Sequence, residues 1–291
     1  MRPLVLGGSG FLGGHVLAEC AARGHQAYAL ARSSTAGRAV EARGARPLGG
    51  DLDRPAELGE LFRRTGCDTL LCLVSLGFGH APAIVTAAER AGIKRAVFVS
   101  TTAVTTTLDP PSKRVRLAAE DCVRAAALGW TIVRPTMIYG APGDRNMSRL
   151  LGLLTRAPVM PVPGARRLHQ PVHVADLAQA VLAAVACQAA VSQRYDVAGP
   201  EPLTFAELLR ISAAAVGSRT RFVPVPLAPL VAAARAYECV SRSPRLRAEQ
   251  ILRLGENKVF PIDDAARDFG YAPRAFADGI QAQARALGLA A

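Results

Sequence analysis

Short apolar runs alternate with helical patterns along the first half of the chain. Apolar runs of strand length occur at residues 4–6, 27–31, 69–74, 96–99 and 130–134, and a further short strand ends near Leu48. Helical periodicity separates several of these runs, at residues 15–22, 55–64, 82–91 and 112–128. Nearly continuous apolar strands that alternate with helices are typical of a parallel sheet covered on both faces. The pattern predicts an α/β fold, a Rossmann-type doubly wound parallel sheet.

The pattern loosens after Pro135. We expect helices at 145–156 and 174–186, a short strand at 194–197, a proline-interrupted strand at 222–225, and basic helices at 227–240 and 245–254. Thr204 with Glu207 three residues on predicts a capping box and the start of another helix. We expect a nucleotide-binding Rossmann domain over residues 1–186, with 140–172 contributing to the substrate side. Residues 187–291 are expected to form a smaller C-terminal substrate lobe, intercalated with the first domain.

A glycine-rich turn joins the first strand to the first helix. Glycines at 7, 10 and 13 are spaced three apart in the run Gly7-Gly8-Ser9-Gly10-Phe11-Leu12-Gly13. Gly7 permits a sharp turn, Gly10 lets the backbone approach a pyrophosphate, and Gly13 lets the helix pack close to the sheet. An ordinary turn is the alternative. The strand before it and the helix after it favour a dinucleotide cradle with amides facing phosphate.

Composition narrows the class of protein. The chain has 291 residues, 50% hydrophobic and 20% charged, which allows a sizeable core and excludes global disorder. The net charge of +12 raises a nucleic-acid role, but the basic residues are scattered and only Lys94, Lys113 and Lys258 are lysines. We expect no specific nucleic-acid partner.

The cysteine pattern bears on metal binding, and the hydropathy of the chain bears on its location in the cell. The six cysteines form no Cys-x-x-Cys motif, so we expect no metal site. No apolar run reaches the roughly 18 residues of a membrane span. The first strand begins without a signal peptide before it, and the sequence therefore predicts a cytoplasmic protein.

The end of the second strand bears on the choice of cofactor. An acidic residue there favours NAD, whereas an arginine can pair with the 2′-phosphate of NADP. Here Ala31 occupies the expected acidic position, and Arg32, Ser33 and, further on, Arg38 follow. We therefore expect NADP(H), with NAD(H) open because a solvated Arg32 is the alternative. Asp51 and Leu52 are expected beside the adenine, although Asp51 can also be an ordinary strand-ending residue.

Several segments together resemble the extended and atypical short-chain dehydrogenase/reductases, including the nucleotide-sugar epimerase/dehydratase group and its NmrA-like relatives. They cover the chain nearly end to end, at 7–13, 51–52, 99–104, 134–140, 170–178 and 195–200. The cradle, the second-strand residues and the resemblance together predict these cofactor contacts: Gly7, Ser9, Gly10, Phe11, Leu12, Gly13, Arg32, Ser33, Asp51, Leu52, Leu73, Val74, Ser75, Ser100, Arg116, Pro135, Thr136, Met137 and Ile138.

The resemblance also shows a departure from the family's catalytic pattern. The family uses a tyrosine, a lysine four residues later, and a Ser or Thr after the fifth strand. Thr102 matches the last of these, but the Tyr and Lys positions hold Ser112 and Arg116, and no tyrosine lies between Tyr28 and Tyr139. Arg116 can still bind ribose hydroxyls, although its high pKa makes it a poor acid. The proton donor is therefore left open.

Other side chains are candidates for that donor or for substrate contacts. Tyr139 follows the sixth strand, and His80 follows the fourth, where we expect the nicotinamide end of the site. His173 belongs to a segment that lines the substrate lobe in the family. Packing of Tyr139 in the core and solvation of His80 are the alternatives. The predicted substrate contacts are His80, Thr102, Tyr139 and His173, and the predicted catalytic residues are Thr102, Ser112, Arg116 and Tyr139. For Asp176 we favour a structural role.

Three hypotheses of function follow. The first is an atypical NADP(H)-dependent oxidoreductase or nucleotide-sugar epimerase/dehydratase-like enzyme acting on a small molecule. Arginines in the later part of the chain favour an anionic substrate: Arg166, Arg167, Arg219, Arg221, Arg242, Arg245 and Arg247. The second is a catalytically inactive NAD(P)H-binding sensor or structural protein of the NmrA-like type. An anion-binding or membrane-surface role for the basic helices at 227–254 is a third alternative, and monomer and homodimer both stay open.

Overall fold

The computed structural model describes residues 1–141, 143–240 and 248–290. Strands and helices alternate strictly through its first half: β1 (Pro3–Leu6), α1 (Phe11–Ala22), β2 (Tyr28–Ala31), α2 (Ser34–Glu41), β3 (Arg46–Gly49), α3 (Pro55–Thr65), β4 (Thr69–Cys72), α4 (Ala81–Arg90), β5 (Arg95–Val99), α5 (Pro111–Arg124) and β6 (Gly129–Pro135). Helix α5 ends four residues earlier than the sequence pattern predicts.

The second half has shorter elements: β7 (Ile138–Tyr139), α6 (Asn146–Leu154), β8 (Val159–Pro163), β9 (Leu168–His169), β10 (Val172–His173), α7 (Val174–Ala186), β11 (Gln193–Val197), β12 (Leu203–Thr204), α8 (Phe205–Ala215), β13 (Arg221–Val225), α9 (Leu227–Val240), α10 (Ala248–Leu252), α11 (Asp263–Phe269) and α12 (Phe276–Ala286). The sequence pattern did not assign α11 or α12. Of the helix expected at 245–254, residues 245–247 lie outside the described ranges.

Seven parallel strands form the central sheet, in the order β11-β6-β5-β4-β1-β2-β3. The fold class predicted from the sequence is confirmed. The strand order reverses between β1 and β4, and ligands in such sheets bind outside the carboxyl ends of the strands at this point. Strand β11 at one edge comes from the segment after residue 186, so residues of the later segment complete the sheet.

Alternation along the strands produces two cores. Leu4 and Leu6 point to the face covered by α3, α4 and α5, where Phe62 and Phe98 are buried. Val5 points to the opposite face, which is covered by α1 and α7. Successive strand side chains face opposite sides of a sheet, so continuous apolar runs fill both layers.

A third core holds the smaller lobe together. It lies among α6, α8 and α12, with Leu151, Leu209 and Ile280 fully buried or nearly so. The predicted capping box at the start of α8 is confirmed: Thr204 Oγ1 accepts from Glu207 N at 3.2 Å, and Glu207 Oε2 accepts from Thr204 N at 2.8 Å. This lobe stands over the carboxyl ends of β5 and β6, through contacts described below. Within the described residues, no helix is both long and apolar enough to cross a membrane.

Candidate functional site

The glycine turn has the geometry of a phosphate cradle. Gly7 has φ +84°, and Gly10 N donates to Gly7 O at 3.0 Å, which closes the turn. A Cβ on Gly13 would lie 2.0 Å from Gly7 O, so only glycine fits there. Helix α1 begins after Gly10 with no side-chain cap, which leaves its first amides to meet a phosphate. A Cβ on Gly7 would lie 3.3 Å from Leu73 C and Val74 N, so these two predicted residues back the turn.

A cavity of about 280 Å³ continues from the turn along the ends of β1, β2 and β4. Its lining contains many of the predicted cofactor residues: Gly7, Ser9, Arg32, Ser33, Asp51, Leu52 and Val74. Asp51 Oδ1 accepts from Asp53 N at 3.1 Å, and Ser33 Oγ accepts from Ala36 N at 3.2 Å and so caps α2. A cavity lined by these residues has room for an adenosine. Arg32 lies at its rim and is exposed. Arg38 and Arg32 line an adjoining cavity on the β3 side.

His80, predicted near the nicotinamide and the substrate, lies on the side of the glycine turn where β2 and β4 end. It lines the same cavity as Arg32 and Leu52, and its Nε2 is 3.7 Å from Asp53 Oδ1. The reason is the short turn Leu76–Phe78 after β4, which leads the chain directly into α4, whose first residue follows His80. Exposed Phe78 accompanies His80, with ring centroids 6.4 Å apart.

The other side of the glycine turn opens into a cavity of about 620 Å³. Ser9, Gly10, Phe11 and Ile138 line it, together with two arginines that the sequence pattern did not single out, Arg43 and Arg145. Leu12, also predicted to contact the cofactor, is buried in the first turn of α1. The cavity brings the segment after β7 against the cradle, since a Cβ on Gly143 would lie 3.1 Å from Phe11 Cδ2.

The predicted catalytic pair, Ser112 and Arg116, lies on the first turns of α5. Ser112 is exposed, and Arg116 is half-buried with its Nη1 3.4 Å from Ser112 O. The Arg116 guanidinium packs against Gly77, where a Cβ would lie 3.3 Å from both Arg116 Nε and Ser75 Oγ. The structure therefore brings Arg116 and Ser75 together just beyond β4, next to the cradle strand.

Ser100 and Thr102 follow β5, and both hydroxyl protons have acceptors inside the protein. Ser100 Oγ donates to Glu120 Oε1 at 2.5 Å, and Thr102 Oγ1 donates to Pro135 O at 3.2 Å. Thr136 Oγ1 similarly donates to Gln170 O at 2.5 Å. These bonds fix the ends of β5 and β6. Each hydroxyl oxygen can also accept a hydrogen bond, because its donated proton leaves its lone pairs available.

Tyr139 belongs to the core of the smaller lobe rather than to a surface of the site. It is 1% exposed, its ring packs on Phe276 at 5.1 Å, and a Cβ on Gly279 would lie 2.1 Å from its hydroxyl. Burial, with Asp176 nearby, raises its pKa well above the ordinary value. This position favours packing, the alternative given for Tyr139, and its catalytic and substrate-binding role stays a prediction.

His173 caps α7, and its contact with substrate stays a prediction. Its Nδ1 accepts from Ala175 N at 3.2 Å, and its ring packs edge-on against Tyr139 at 5.2 Å. Burial, with Arg274 nearby, lowers its pKa to about 4, so the ring is neutral at pH 7. Asp176 binds the Arg274 side chain and backbone, with Arg274 Nε at 2.9 Å from Asp176 Oδ1. This arrangement matches the structural role favoured for Asp176.

The substrate side has its own cavity, of about 510 Å³, above the ends of β5 and β6. Predicted residues Thr102, Thr136 and Met137 line it from the sheet. The opposite wall is residues 253–260, which the sequence pattern did not single out; it contributes Arg253, Glu256 and Lys258, among others. More than 100 residues separate the two walls in the chain, and 150 separate Thr106 from Glu256. In the sequence, Lys258 stands out in one respect: it is one of only three lysines.

Glu256 joins the two walls. Its carboxylate accepts from Thr106 Oγ1 at 2.7 Å, from Thr107 Oγ1 at 2.7 Å and from Thr107 N at 2.8 Å. Burial opposes its charge, but these hydrogen bonds outweigh that effect and lower its pKa. Lys113 Nζ donates to Thr106 O at 2.7 Å and so ties α5 to the same loop.

Metal chemistry is not built into this arrangement. Across the residues that the structure describes, no group of three or more His, Cys, Asp or Glu side chains could hold a metal ion. The cradle and the two cavities beside it instead fit a dinucleotide, because their glycines exclude side chains at the points where a pyrophosphate would need close approach to the backbone.

Comparisons with known proteins agree with the cradle. A family described as NAD(P)H-binding matches residues 7–188, and the chain belongs to this family. A relative from Stigmatella aurantiaca, "4-hydroxy-2-methyl-3-oxo-4-farnesyl-3,4-dihydroquinoline-1-oxide ketoreductase", is 30% identical, with 94% of this chain and 92% of the relative covered.

Solved structures share the fold. A triphenylmethane reductase from Citrobacter sp. has a TM-score of 0.77 and 19% identity, covering 99% of this chain and 100% of the other. A UDP-glucose 4-epimerase from Thermotoga maritima has a TM-score of 0.73 and 14% identity, with 98% of each chain covered. The predicted likeness to the extended short-chain dehydrogenase/reductases is confirmed, and the cofactor is a nicotinamide dinucleotide. The relatives support an atypical NAD(P)-dependent oxidoreductase over an inactive binding protein.

Proposed function

We propose that the protein is an NADPH-dependent reductase of a small carbonyl compound. The observation that carries this proposal is the cavity of about 510 Å³ at the carboxyl ends of β5 and β6, next to the dinucleotide groove. A ligand there would lie where a bound nicotinamide ends in a doubly wound sheet. The ketoreductase relative, aligned over nearly the whole chain, supports reduction over nucleotide-sugar epimerisation.

A preference for NADP(H) is part of the proposal. Arg32 is exposed at the rim of the adenosine cavity, and Ala31 before it offers no carboxylate to the ribose 2′-hydroxyl. A guanidinium is suited to a 2′-phosphate because it presents several donors in a plane. Arg38 lines the adjoining cavity and adds positive charge on the same side.

The chain's own residues would hold the cofactor along the groove. The amides at the start of α1 would bind the pyrophosphate, and Arg43 and Arg145 flank it. Arg116, beside Ser75, is positioned by α5 to reach ribose hydroxyls. Bound dihydronicotinamide supplies hydride. Ser100, Pro135 and Ile138 belong to the segments that would support its ring, and Thr102, Thr136 and Met137 would face the substrate.

The substrate we propose is anionic. Arg253 lines the cavity, and a guanidinium keeps its charge at every physiological pH. Glu256, the acidic residue of the same wall, is held by Thr106 and Thr107. Arg166, Arg167, Arg219 and Arg221 are exposed and are not part of this lining, and Arg242, Arg245 and Arg247 lie outside the described residues. The proposed preference for an anionic substrate therefore rests on Arg253 and not on the arginines that the sequence analysis named.

A cytoplasmic setting is also proposed. Cys20, Cys67 and Cys72 are buried free thiols among the described cysteines. Buried unpaired thiols suit a reducing compartment.

The test is NADPH oxidation with matched carbonyl probes. Purified protein is mixed with NADPH or NADH and with 4-carboxybenzaldehyde or benzaldehyde, and absorbance at the nicotinamide band is followed. We expect oxidation of NADPH, with a lower KM for the carboxylated probe. Nucleotide binding without oxidation of either probe would contradict the reductase and support an NAD(P)H-binding protein.

A further inference from the structure

Lys258 occupies a distinctive place in the substrate cavity. It lies on the wall opposite Thr102 and Thr136, in the segment that crosses over the ends of β5 and β6. Its backbone N donates to Leu168 O at 2.8 Å, which anchors the segment to β9. The side chain is partly buried and borders the cavity. A donor here can reach a ligand held between the two walls.

The surroundings leave the Lys258 ammonium without a carboxylate partner. Glu256, two residues away, accepts instead from Thr106 and Thr107. Among the described residues, no Asp or Glu forms a salt bridge with Lys258. The remaining charged neighbour on the same wall is Arg253, which repels it. An ammonium has three N–H donors, so Lys258 can donate to a ligand that fills the cavity it lines.

The other candidate acids are placed elsewhere. Tyr139 is enclosed in the lobe core, His173 caps α7, and His80 lies at the adenosine end. Ser112 and Arg116 are on α5 and are not part of the cavity lining. The tyrosine that the family uses is thus unreplaced on its own helix, and the cavity holds a proton donor from a different part of the chain.

We propose that Lys258 is the catalytic acid that protonates the substrate oxygen during carbonyl reduction. This inference rests on the proposed function. The carbonyl carbon accepts hydride with its electron pair from the bound cofactor, and the π pair of the carbonyl moves to oxygen. That oxygen forms an O–H bond with a proton from Lys258 Nζ, while the N–H bond breaks and leaves a neutral amine. The alcohol leaves, and the amine takes up one proton from the solvent, which is the proton that the net reaction consumes; the carbonyl is reduced and the dihydronicotinamide is oxidised.

The local charges suit this role. Burial and the nearby Arg253 lower the pKa of Lys258, while Glu256 acts in the opposite direction. From the packed strand β9, His169 also faces it; burial and Lys258 lower the pKa of that histidine to about 4, so it is neutral at pH 7. A lysine with a lowered pKa is a stronger acid and gives up its proton more readily to a developing alkoxide.

The first test compares Lys258→Arg and Lys258→Met with Lys94→Arg. Lys94 is exposed in the turn before β5, so its variant is the matched control. With NADPH and 4-carboxybenzaldehyde, we expect kcat to fall about 100-fold or more in both Lys258 variants and to stay unchanged in the control. NADPH affinity, measured by fluorescence, should be the same in all four proteins, which shows that they fold.

The pH profile separates acid catalysis from structure. In the wild type, kcat should fall as pH rises above the pKa of Lys258, because the ammonium is the active form; Lys258→Arg should lose this limb. Wild-type reduction that both Lys258 variants retain would overturn the role of Lys258 and leave the proposed function standing. A wild type that binds NADPH but reduces neither probe would overturn both.

A second readout does not depend on turnover. The chain has only three lysines, so reductive methylation with ¹³C-formaldehyde gives three lysine signals that Lys→Arg variants assign. In the NADP⁺-bound protein, we expect the Lys258 signal to titrate below the ordinary lysine pKa and to shift when 4-carboxybenzyl alcohol is added. A Lys258 signal that titrates at the ordinary lysine pKa and does not shift with the alcohol would contradict the proposal.

Discussion

Glu120 and Arg134 form a buried ion pair that fastens helix α5 to strand β6. Arg134 Nε donates to Glu120 Oε1 at 2.9 Å, and the two side chains are only 7% and 3% exposed for Arg134 and Glu120, respectively. Ser100, at the end of β5, donates to the same oxygen. One carboxylate thus joins α5, β5 and β6 immediately below the cofactor and substrate cavities.

Removal of Glu120 should therefore destabilise the fold. Glu120→Ala leaves Arg134 charged and buried without its partner, and breaking such a pair typically costs about 3–5 kcal/mol. We expect that loss in the free energy of unfolding measured with urea. The control is Glu60→Ala, which breaks an exposed pair with Arg63 and should cost less than about 1 kcal/mol. Equal losses in the two variants would show that burial of the pair does not matter.

The cradle predicts a sharp effect of one methyl group. In Gly13→Ala, the new Cβ would meet Gly7 O at 2.0 Å, so the turn must open and the amides of α1 must move. We expect NADPH affinity, titrated by fluorescence, to fall at least tenfold. Gly152→Ala is the control, because Gly152 lies in α6 and its Cβ would meet nothing within 4 Å. Unchanged affinity in Gly13→Ala would place the pyrophosphate elsewhere.

Cofactor selectivity should depend on Arg32. Loss of a charge-assisted contact to a 2′-phosphate is worth about 1.5–3 kcal/mol, so Arg32→Ala should weaken NADPH binding about tenfold or more and leave NADH binding nearly unchanged. Arg63→Ala, an exposed substitution on α3, should change neither dissociation constant. If the wild type binds both nucleotides equally, Arg32 does not select the cofactor.

The buried histidine His173 predicts a stability that depends on pH. Its pKa is about 4 in the folded protein and about 6.5 when unfolded, so the unfolded state binds the extra proton between these values. Stability from this residue is present above pH 6.5 and is lost as pH falls towards 4. Lowering pH from 7 to 5 should cost about 2 kcal/mol through His173 alone.

The check is urea unfolding of the wild type and His173→Asn at both pH values. Asparagine keeps an acceptor at the start of α7 but does not titrate. We expect the variant to lose about 2 kcal/mol less than the wild type over this range. The same pH dependence in both proteins would assign it to other groups.

Local sequence signals predicted much of the fold and the cradle. The strand–glycine turn–helix unit needs only neighbours in the chain, as Gly7 and Gly13 show, and the capping box at Thr204 is likewise local. Apolar runs in β1, β4 and β5 predicted the buried strands because both of their faces are covered.

The substrate side depended on contacts that no local pattern contains. Glu256 meets Thr106 across about 150 residues, so the wall that carries Lys258 was not predicted. His80 and Tyr139 were assigned by their distance from a strand end, but a short turn carries His80 to the adenosine end, and packing against Phe276 encloses Tyr139. Which way a side chain faces after a strand is decided by these tertiary contacts.

The most direct measurement follows one atom through a single turnover. Two forms of NADPH are prepared, each with deuterium at one of the two stereochemical positions on C4. The protein is mixed with a slight excess of one form and with 4-carboxybenzaldehyde, and the mass of the alcohol product is measured by mass spectrometry. Hydride transfer from NADPH to the carbonyl carbon predicts an alcohol one mass unit heavier with one of the two deuterated forms, and less deuterium transfer by Gly13→Ala because it binds NADPH more weakly. NADPH that binds tightly in the cradle while no deuterium reaches the carbonyl carbon from either form would contradict it.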